Sequence, residues 1–592
     1  MRNSTRDGGL VWRPDAAAAH YATRCARGRY HRTATPIFRT QHDSAGPRVI
    51  RRRTMHAPRS DVTHRPQFLR PISVTQHTTF DPSSDAEWEA LRLLGHRMLD
   101  DLFDATRALP HTPAWRPMPP HKATLFEEAG PEAGSGAEAV YEQFRQHVLP
   151  YGNGNWHPRF FGWVQGNGTP LAMLADLLAS GMNPHLAGFN QAPAAVEQQV
   201  IRWFGEWMGL PGASGLFVTG GTMANVHGLA CARMAMGEQL GRNPRRDGVQ
   251  RWPEQIDGEA ASGPLVFYGS TETHSWARKA AEWLGLGDRA FVRVATGPDH
   301  RMDVTALNAQ MQADRAAGLV PFAVVGTAGT VNAGAVDDLD ALADVAEANG
   351  LWFHVDGAFG ALLALSPRYR HLVRGLSRAD SLAFDLHKWG SMPFECAVAL
   401  VRDPAVHHAA FRGSAAYLGA LPRGVSAGGQ PFNDVGLDLT RGFKALKVWM
   451  QLKADGVHKF GALIEQNIGQ VQRFAARLDA HPEFERVGPS PLNVLCFRYL
   501  PTQISGDTSH ERGDEFVGGY VDEVVDEINR ELLMRVQERG IAVPSSTMAN
   551  GRFVLRMAHV NHRTTDDDMD AVFEALLEIG REVSAERSAE VA

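Results

Sequence analysis

Between residues 264 and 403, short apolar runs alternate with segments of helical periodicity, and this alternation constrains the fold more than any other feature of the sequence. Alternation of this kind predicts an α/β fold with a mostly parallel central sheet covered by helices. Ligands of such sheets bind at the carboxyl ends of the strands, so functional residues are expected there. The strand-like runs are 264–270, 291–296, 321–327, 351–356, 381–386 and 396–403.

The flanking sequence has a different character. Residues 85–109 have apolar residues at helical spacing, and a Pro-rich connector follows. After about residue 456, strand-like runs at 493–500 and 553–560 alternate with helix-like runs at 521–540 and 566–583, which predicts a smaller α+β unit. We therefore predict four parts: a basic, disordered leader (1–75), an N-terminal helical segment (76–150), a large domain (151–455) and a small C-terminal α+β domain (456–592).

The charge is unevenly distributed along the chain. Residues 1–70 hold fifteen Arg and four Asp but no Lys or Glu, although the formal net charge of the whole chain is -6. The stretch lacks the apolar core of a secretory signal. Nucleic-acid-binding arms usually mix Lys with Arg and contain more aromatic residues. We therefore predict an unstructured leader and no nucleic-acid partner, while an organelle transit peptide stays open as an alternative.

Several classes of protein are excluded by what the sequence lacks. It has no run of about 18 apolar residues, so we predict no membrane span. The four cysteines (Cys25, Cys231, Cys396 and Cys496) lie far apart without a CxxC pair, which excludes a disulfide scaffold and gives no zinc-ligand spacing. The histidines are scattered, so no metal site is predicted. We expect a cytoplasmic protein.

Two of the predicted strands end in, or are followed by, residues whose side chains could take part in catalysis. One closes with His354 and Asp356, and another is followed by His387 and Lys388. Pyridoxal phosphate needs a lysine to hold it covalently and a carboxylate to keep its pyridine nitrogen protonated. A lysine 32 residues after a strand-end aspartate suits this cofactor, although an isolated lysine is usually a solvated surface group.

Two further segments suit the rest of such a cofactor. Gly220, Gly221 and Thr222 directly precede a helical run, and the backbone N–H groups of a helix N-terminus bind phosphate. His274 follows a strand and could stack on a flat ring. Each feature is common by itself, because such turns and loop histidines occur widely without a ligand.

Together these segments resemble the group II pyridoxal-phosphate-dependent decarboxylases, which include aromatic-L-amino-acid, glutamate and histidine decarboxylases. The resemblance covers about residues 85–585. The segment 381–390, SLAFDLHKWG, is similar to the family's Ser-x6-Lys signature around the cofactor lysine, and 156–163, 171–178 and 440–450 also resemble family segments. The resemblance implies a type I PLP-dependent (aspartate aminotransferase-like) fold, pyridoxal 5'-phosphate as cofactor, and a homodimer with contacts through residues 76–150.

The resemblance also implies roles for single residues. Lys388 would hold the cofactor, Asp356 would pair with its pyridine nitrogen, and His274 would stack on its ring and orient the substrate carboxylate. Tyr417 would protonate the α-carbon after carbon dioxide leaves. The complete set of implied cofactor-binding residues is Gly221, Thr222, Met223, His274, Thr327, Asp356, Ala358, His387 and Lys388.

The sequence departs from the family pattern at two places. Many members have Asn where this chain has Asp385, and a carboxylate near a phosphate is unfavourable unless it turns away or accepts donors elsewhere. Many aromatic-specific members have Tyr-Phe-Pro-Thr where residues 163–166 read Trp-Val-Gln-Gly. Trp163 would offer an aromatic wall and Gln165 a polar group. Arg556 matches an arginine that contacts a substrate carboxylate in glutamate decarboxylases; a structural ion pair is the alternative.

We predict an enzyme, a PLP-dependent carboxy-lyase that converts an L-amino acid to its amine and carbon dioxide, with an aromatic amino acid as substrate. Three alternatives remain at this point. The substrate could be an acidic or basic aliphatic amino acid, such as glutamate, aspartate, cysteine sulfinate or 2,4-diaminobutyrate. The enzyme could be a PLP-dependent aldehyde synthase, although such enzymes typically carry Phe at the position of Tyr417. The chain could also be a catalytically silent relative.

Overall fold

The computed structural model describes residues 79–249, 263–413, 421–428, 431–501 and 515–591. The predicted leader (1–75) lies outside the described residues. Helices are numbered in chain order as α1 Asp85–Ala108, α2 Pro120–Ala123, α3 Ala137–Gln143, α4 Pro170–Met182, α5 Ala192–Trp207, α6 Gly221–Gln239, α7 Pro244–Asp247, α8 Trp276–Trp283, α9 Val304–Ala316, α10 Leu339–Asn349, α11 Pro404–Phe411, α12 Ala445–Asp455, α13 Val457–Asp479, α14 Glu515–Glu538 and α15 Asp566–Val591.

A seven-stranded mixed sheet forms the centre of the larger part, with the strand order β1-β7-β6-β5-β4-β2-β3. Strands β2 to β6 run parallel to one another, whereas β7 pairs antiparallel with both β1 and β6. The predicted α/β fold with a mostly parallel sheet is confirmed. The strands are β1 Ser214–Val218, β2 Leu265–Ser270, β3 Phe291–Val294, β4 Val320–Thr327, β5 Trp352–Asp356, β6 Ser381–Asp385 and β7 Ala397–Val401.

The six predicted strands match β2 to β7, but β1 was not predicted. This strand is only five residues long and contains Gly215, which weakens a strand pattern because it offers no side chain to pack. The structure shows why glycine stands there: a Cβ on Gly215 would lie 2.7 Å from the carbonyl oxygen of Ala399 on β7. The sheet is buried on both faces, so its strands read as continuous apolar runs.

A second, smaller sheet lies in the C-terminal part of the chain. Its four strands are β8 Phe484–Arg486, β9 Val494–Tyr499, β10 Ser545–Ala549 and β11 Arg552–Ala558, in the order β10-β11-β9-β8, and all pairs are antiparallel. A hydrophobic cluster joins β9 and β11 to α13, α14 and α15. This arrangement confirms the predicted smaller α+β unit. The exact boundaries between the four predicted parts stay a prediction.

The helix over 338–350 shows how local sequence signals set its ends. The side chain of Asp338 accepts a hydrogen bond from the backbone N–H of Ala341, which caps the start of α10. Gly350 ends the helix with a φ of 64°, a left-handed conformation that glycine adopts without strain. The helix therefore delivers the chain into β5 at a fixed point, and β5 carries two of the predicted site residues.

None of the helices in the described ranges is long and apolar enough to cross a bilayer.

Buried histidines make the fold sensitive to acid. Burial lowers the pKa of His227 on α6 to about 4, below the value of about 6.5 expected in an unfolded chain. Its Nδ1 lies 2.8 Å from the carbonyl oxygen of Met223, and its ring stacks on Phe411 with centroids 4.6 Å apart. Between pH 6.5 and 4 the unfolded chain therefore binds more protons than the folded chain. The stabilisation is present above pH 6.5 and is lost as the pH falls towards 4.

We expect the melting temperature to fall as the pH is lowered from 6.5 to 4.5, and His227→Gln to make this decline shallower. One proton fewer taken up on unfolding corresponds to about 1.4 kcal/mol per pH unit. The measurement is thermal unfolding followed by circular dichroism across the pH range. His458 is exposed, so His458→Gln is the matched control and should keep the wild-type slope. Identical slopes for both variants would contradict the prediction.

Candidate active site

A cavity of about 440 Å³ lies at the carboxyl ends of β4, β5 and β6, beside the first turn of α6. Thr327, Asp356 and Asp385 end these three strands, and each lines the cavity. The prediction that chemistry would be found at the carboxyl ends of the strands therefore agrees with the geometry. All of the residues predicted to bind the cofactor line this one cavity, namely Gly221, Thr222, Met223, His274, Thr327, Asp356, Ala358, His387 and Lys388.

Lys388 follows β6 and forms an ion pair across one turn. Its Nζ lies 2.9 Å from Oδ2 of Asp385, whose side chain is buried. The other oxygen of Asp385, Oδ1, has no hydrogen-bond partner among the described residues. The expected difficulty with Asp385 is therefore partly relieved, because one oxygen accepts a charged donor while the other is left unsatisfied.

His387 lies beside this ion pair and also lines the cavity. Its Nδ1 accepts a hydrogen bond from the backbone N–H of Cys396 at 3.2 Å, and its Nε2 lies 3.6 Å from Oδ2 of Asp385. Burial lowers its pKa, which favours the neutral ring. The ring also packs against Phe394, with centroids 4.7 Å apart. His387 is thus a neutral wall residue next to Lys388.

Asp356 is the last residue of β5, and its carboxylate is held by two neutral donors. Oδ2 accepts the indole N–H of Trp276 at 2.6 Å, and Oδ1 accepts the backbone N–H of Ala358 at 3.1 Å. Asp356 and Trp276 are both buried. The carboxylate is therefore fixed in orientation from both sides.

A buried polar layer lies directly beneath Asp356. His354, two residues earlier on β5, contacts Ser381 Oγ through Nδ1 at 2.8 Å and Asn225 Oδ1 through Nε2 at 2.7 Å. The indole N–H of Trp352 donates to the same Ser381 hydroxyl at 2.8 Å. Burial lowers the pKa of His354 to about 4, so the ring is neutral at neutral pH. The layer consequently places no positive charge beneath the carboxylate.

His274 follows β2 and reaches the cavity from the side of α8. Its Nδ1 accepts the backbone N–H of Trp276 at 3.2 Å, which fixes the ring at the start of that helix. Burial lowers its pKa and favours the uncharged imidazole. A neutral, flat ring that is fixed at one nitrogen is well suited to stack on an aromatic ligand.

The first turn of α6 offers an anion-binding surface in the wall of the cavity. No described side chain caps this nineteen-residue helix, so its first backbone N–H groups lack partners within the helix. Gly221 is required by close approach: a Cβ there would lie 2.8 Å from Asp385 Oδ2 and 3.0 Å from the Cβ of Ala358. Thr327 Oγ1 is also buried, without a hydrogen-bond partner among the described residues.

The segment 163–166 contacts the backbone that carries Lys388, but its predicted substrate residues do not line the cavity. Trp163 is 54% exposed, and the Gln165 side-chain oxygen accepts a hydrogen bond from Asn153 at 2.7 Å. The N–H of Gly166 donates to the carbonyl oxygen of His387 at 3.1 Å. A Cβ on Gly166 would collide with the carbonyl oxygens of His387 and Lys388.

Arg556 lies one layer behind the cavity wall. Its guanidinium donates to Ser545 Oγ at 3.1 Å and to the carbonyl oxygen of Val331, a residue that lines the cavity. Arg556 itself is buried and does not line the cavity. It forms no ion pair with a described residue either, so the structure assigns it hydrogen bonds in place of the ion pair considered from sequence.

Several residues that were not predicted from sequence also line the cavity, and one predicted residue cannot be described. Trp276 and Glu272 both line the cavity, on either side of His274. Glu272 accepts a hydrogen bond from Asn332 at 3.1 Å. The signal that could have found both is proximity to His274 at a strand end. Tyr417 lies outside the described residues. Within the described ranges, no cluster of three or more His, Cys, Asp or Glu could hold a metal ion.

Comparison with protein families gives one extensive match. Residues 119–500 match the family described as the pyridoxal-dependent decarboxylase conserved domain. This range includes the residues that line the cavity, the strand β5 that carries Asp356, and the strand β6 that precedes Lys388.

Individual relatives extend the match to most of the chain. The chain is 30% identical over 500 residues to an aromatic-L-amino-acid decarboxylase of Bacillus atrophaeus, covering 84% of this chain and 96% of that protein. It is 29% identical over 507 residues to tyrosine decarboxylase 4 of Petroselinum crispum, covering 84% and 94%. Among solved structures, Oryza sativa TDC with PLP and tryptamine is similar with a TM-score of 0.74 and 26% identity, covering 85% of this chain and 99% of that one.

Proposed function

The chain belongs to the pyridoxal-dependent decarboxylase family, and from this we propose that it converts an aromatic L-amino acid to its amine and carbon dioxide with pyridoxal 5'-phosphate as cofactor. One observation carries the proposal: a lysine, a carboxylate, a neutral histidine and an uncapped helix start line a single cavity. The enzyme is a carboxy-lyase. The predicted family and cofactor are confirmed by the comparisons.

The cavity residues fit this cofactor on three counts. Gly221 leaves a space that a side chain would fill, at a helix start whose N–H groups suit a phosphate. Thr327 Oγ1 is buried and lacks a partner among the described residues, so it can donate to a ligand. Asp356 is a buried carboxylate whose two donors are both neutral, which suits a cationic ring nitrogen.

We assign roles to the residues of this chain accordingly. Lys388 would hold the cofactor covalently through Nζ, and Asp356 would keep its pyridine nitrogen protonated. His274 would cover the face of the ring, and Ala358 would leave room beneath it. The bound cofactor supplies an electron sink for the pair left at the α-carbon when carbon dioxide departs. Tyr417 would then deliver a proton to the α-carbon.

The charges around the cavity support a neutral side chain on the substrate. Lys388 is the only Lys or Arg among the described residues that line the cavity, whereas Glu272 and Glu395 add negative charge. An acidic substrate would therefore meet carboxylates without a compensating arginine, because Arg556 is engaged behind the wall. An aromatic side chain carries no charge and therefore needs no arginine partner in the cavity. Trp163 and Gln165 do not line this cavity, so their contact with the substrate stays a prediction.

The function is tested by product analysis. Purified enzyme with pyridoxal phosphate is incubated with L-tyrosine, L-tryptophan, L-phenylalanine, DOPA, L-glutamate and 2,4-diaminobutyrate, and carbon dioxide, amine and peroxide are measured together. We expect equimolar carbon dioxide and amine from an aromatic substrate and little peroxide. Aldehyde and peroxide in place of amine would identify an aldehyde synthase. Faster turnover of glutamate or diaminobutyrate would overturn the substrate assignment.

Asp385 gives a prediction about cofactor retention. Its carboxylate lies against Gly221, at the helix start proposed to bind the phosphate, and it repels a second anion there. We expect Asp385→Asn to slow cofactor release roughly fivefold, corresponding to about 1 kcal/mol. Release is measured by loss of cofactor absorbance from protein under dialysis.

The matched control for Asp385 is Glu395→Gln, which removes the same charge from the cavity rim. Glu395 lies 3.7 Å from Lys444, and its side chain is exposed, so solvent screens it and release should change less than about twofold. Faster release from Asp385→Asn would show that the ion pair with Lys388 helps to hold the cofactor, contrary to the prediction.

A homodimer and a cytoplasmic location are part of the proposal. Helix α1 leaves Trp88, Leu91 and Leu93 exposed, and apolar residues on such a surface favour contact with a second copy of the chain. Cys231, Cys396 and Cys496 are buried free thiols, in keeping with a reducing compartment. Sedimentation velocity of the purified enzyme would measure the oligomeric state directly.

A further inference from the structure

Trp276 reaches the centre of the site from a position that sequence reasoning did not single out. It is the first residue of α8, it is 1% exposed, and it lines the cavity. Its indole N–H lies 2.6 Å from Oδ2 of Asp356, a residue 80 positions later in the chain. The hydrogen bond therefore links the helix after His274 to the end of β5.

The surroundings of Asp356 leave this indole as its main side-chain partner. The other carboxylate oxygen accepts only a backbone N–H, that of Ala358. No cationic side chain among the described residues forms an ion pair with Asp356. Beneath it, both ring nitrogens of His354 are engaged by Ser381 and Asn225, so that ring offers no donor to the carboxylate.

Trp276 is also held rigidly, as a positioning group must be. Its ring meets the His354 ring edge-on, with centroids 5.7 Å apart and planes at 80°. Its backbone N–H donates to Nδ1 of His274. One residue thus contacts the proposed stacking histidine through its backbone and the proposed carboxylate partner through its side chain.

We propose that Trp276 is a positioning residue for Asp356: its indole N–H holds the carboxylate in the orientation that the cofactor's pyridine nitrogen requires. The inference rests on the proposed function. Without the indole, Oδ2 of Asp356 has no side-chain donor among the described residues, so the carboxylate is free to rotate and its pairing with a cation weakens.

The test compares Trp276→Phe with Trp352→Phe. Phenylalanine keeps an aromatic ring at each position and removes only the indole N–H and the five-membered ring. Trp352 donates to Ser381 Oγ at 2.8 Å in the layer beneath the site, and it does not contact Asp356 through a hydrogen bond. Both variants therefore lose one indole hydrogen bond of similar length, but only one loses it from the carboxylate.

Three readouts are taken on the holoenzyme: cofactor release under dialysis, the pH dependence of the bound cofactor's absorbance, and kcat and KM. For Trp276→Phe we expect about tenfold faster release, an altered absorbance–pH profile, and a roughly tenfold lower kcat with KM within about twofold. For Trp352→Phe we expect release and absorbance within about twofold of wild type. Equal behaviour of the two variants, or wild-type release from Trp276→Phe, would overturn the proposal.

Two further variants separate positioning from packing. Trp276→Tyr keeps a donor on the ring and should release the cofactor more slowly than Trp276→Phe; the reverse order would overturn the proposal even if the phenylalanine variant folds poorly. In an Asp356→Asn background, Trp276→Phe should change the rate of cofactor release and kcat by less than about twofold, since the partner of the indole N–H is already altered. If wild-type enzyme itself fails to bind the cofactor covalently, the proposed function fails, and that outcome is distinct from a failure of Trp276.

Discussion

Lys388→Ala is expected to abolish turnover, with a decrease of at least about three orders of magnitude, or about 4 kcal/mol in the activation barrier. Nζ of Lys388 is the only primary amine of the described residues that lines the cavity. Alanine also leaves Asp385 buried without its charged donor, beside the proposed phosphate site. Loss of covalent attachment and weaker cofactor binding should therefore occur together.

The measurement for Lys388 combines steady-state turnover with borohydride reduction and peptide mass analysis. In wild type, reduction should fix the cofactor mass on the peptide that contains Lys388, and in the variant no peptide should carry it. Lys459 is exposed and pairs with Asp455 at 2.8 Å, away from the cavity, so Lys459→Ala is the matched control and should keep full activity. Cofactor found on another lysine of the wild-type enzyme would contradict the assignment.

Asp356→Asn should produce the second largest loss. The amide keeps the shape of the side chain but removes the negative charge that the protonated ring nitrogen needs. Removing one partner of a buried charge pair costs about 3–4 kcal/mol, which corresponds to roughly two to three orders of magnitude in turnover. The loss should appear mainly in kcat. The less protonated ring is a weaker electron sink, and this affects the chemical step that follows substrate binding more than the binding itself.

The control for Asp356 is Asp380, which directly precedes β6 and therefore lies at the amino end of the strands, away from the cavity. Asp380 accepts the backbone N–H of Phe353 at 2.8 Å and does not line the cavity. Asp380→Asn should lower the melting temperature slightly and leave kcat within about twofold. If the cofactor's absorbance spectrum and kcat of Asp356→Asn both match wild type, Asp356 is not the partner of the pyridine nitrogen.

The sequence predicted those parts of the site that depend on strand order. Parallel strands bring their carboxyl ends to one edge, so residues that end β4, β5 and β6 could be expected to meet. Lys388 and Asp356 were found in this way. All of the predicted cofactor residues line one cavity for the same reason.

The remaining features depend on contacts that no local pattern encodes. The hydrogen bond from Trp276 to Asp356 joins two elements 80 residues apart, and a tryptophan at a helix start resembles any core residue. From sequence, Arg556 could have contacted either the substrate or the protein. Its guanidinium in fact donates to the carbonyl oxygen of Val331, a contact that the sequence does not reveal. Strand β7 likewise pairs antiparallel with both β6 and β1, and sequence reasoning did not predict β1.

The backbone contact at Gly166 determines which positions of the segment 163–166 can be substituted without moving the backbone of Lys388. The segment that carries Trp163 and Gln165 is tied to the chain around Lys388, since the carbonyl oxygens of His387 and Lys388 leave no room for a side chain at Gly166. Trp163, a predicted substrate residue, is 54% exposed, so substitutions there would leave the backbone of Lys388 in place. A side chain at Gly166 would displace the backbone that carries Lys388. Directed evolution towards new substrates should accordingly randomise the first positions of this segment and hold its last one constant.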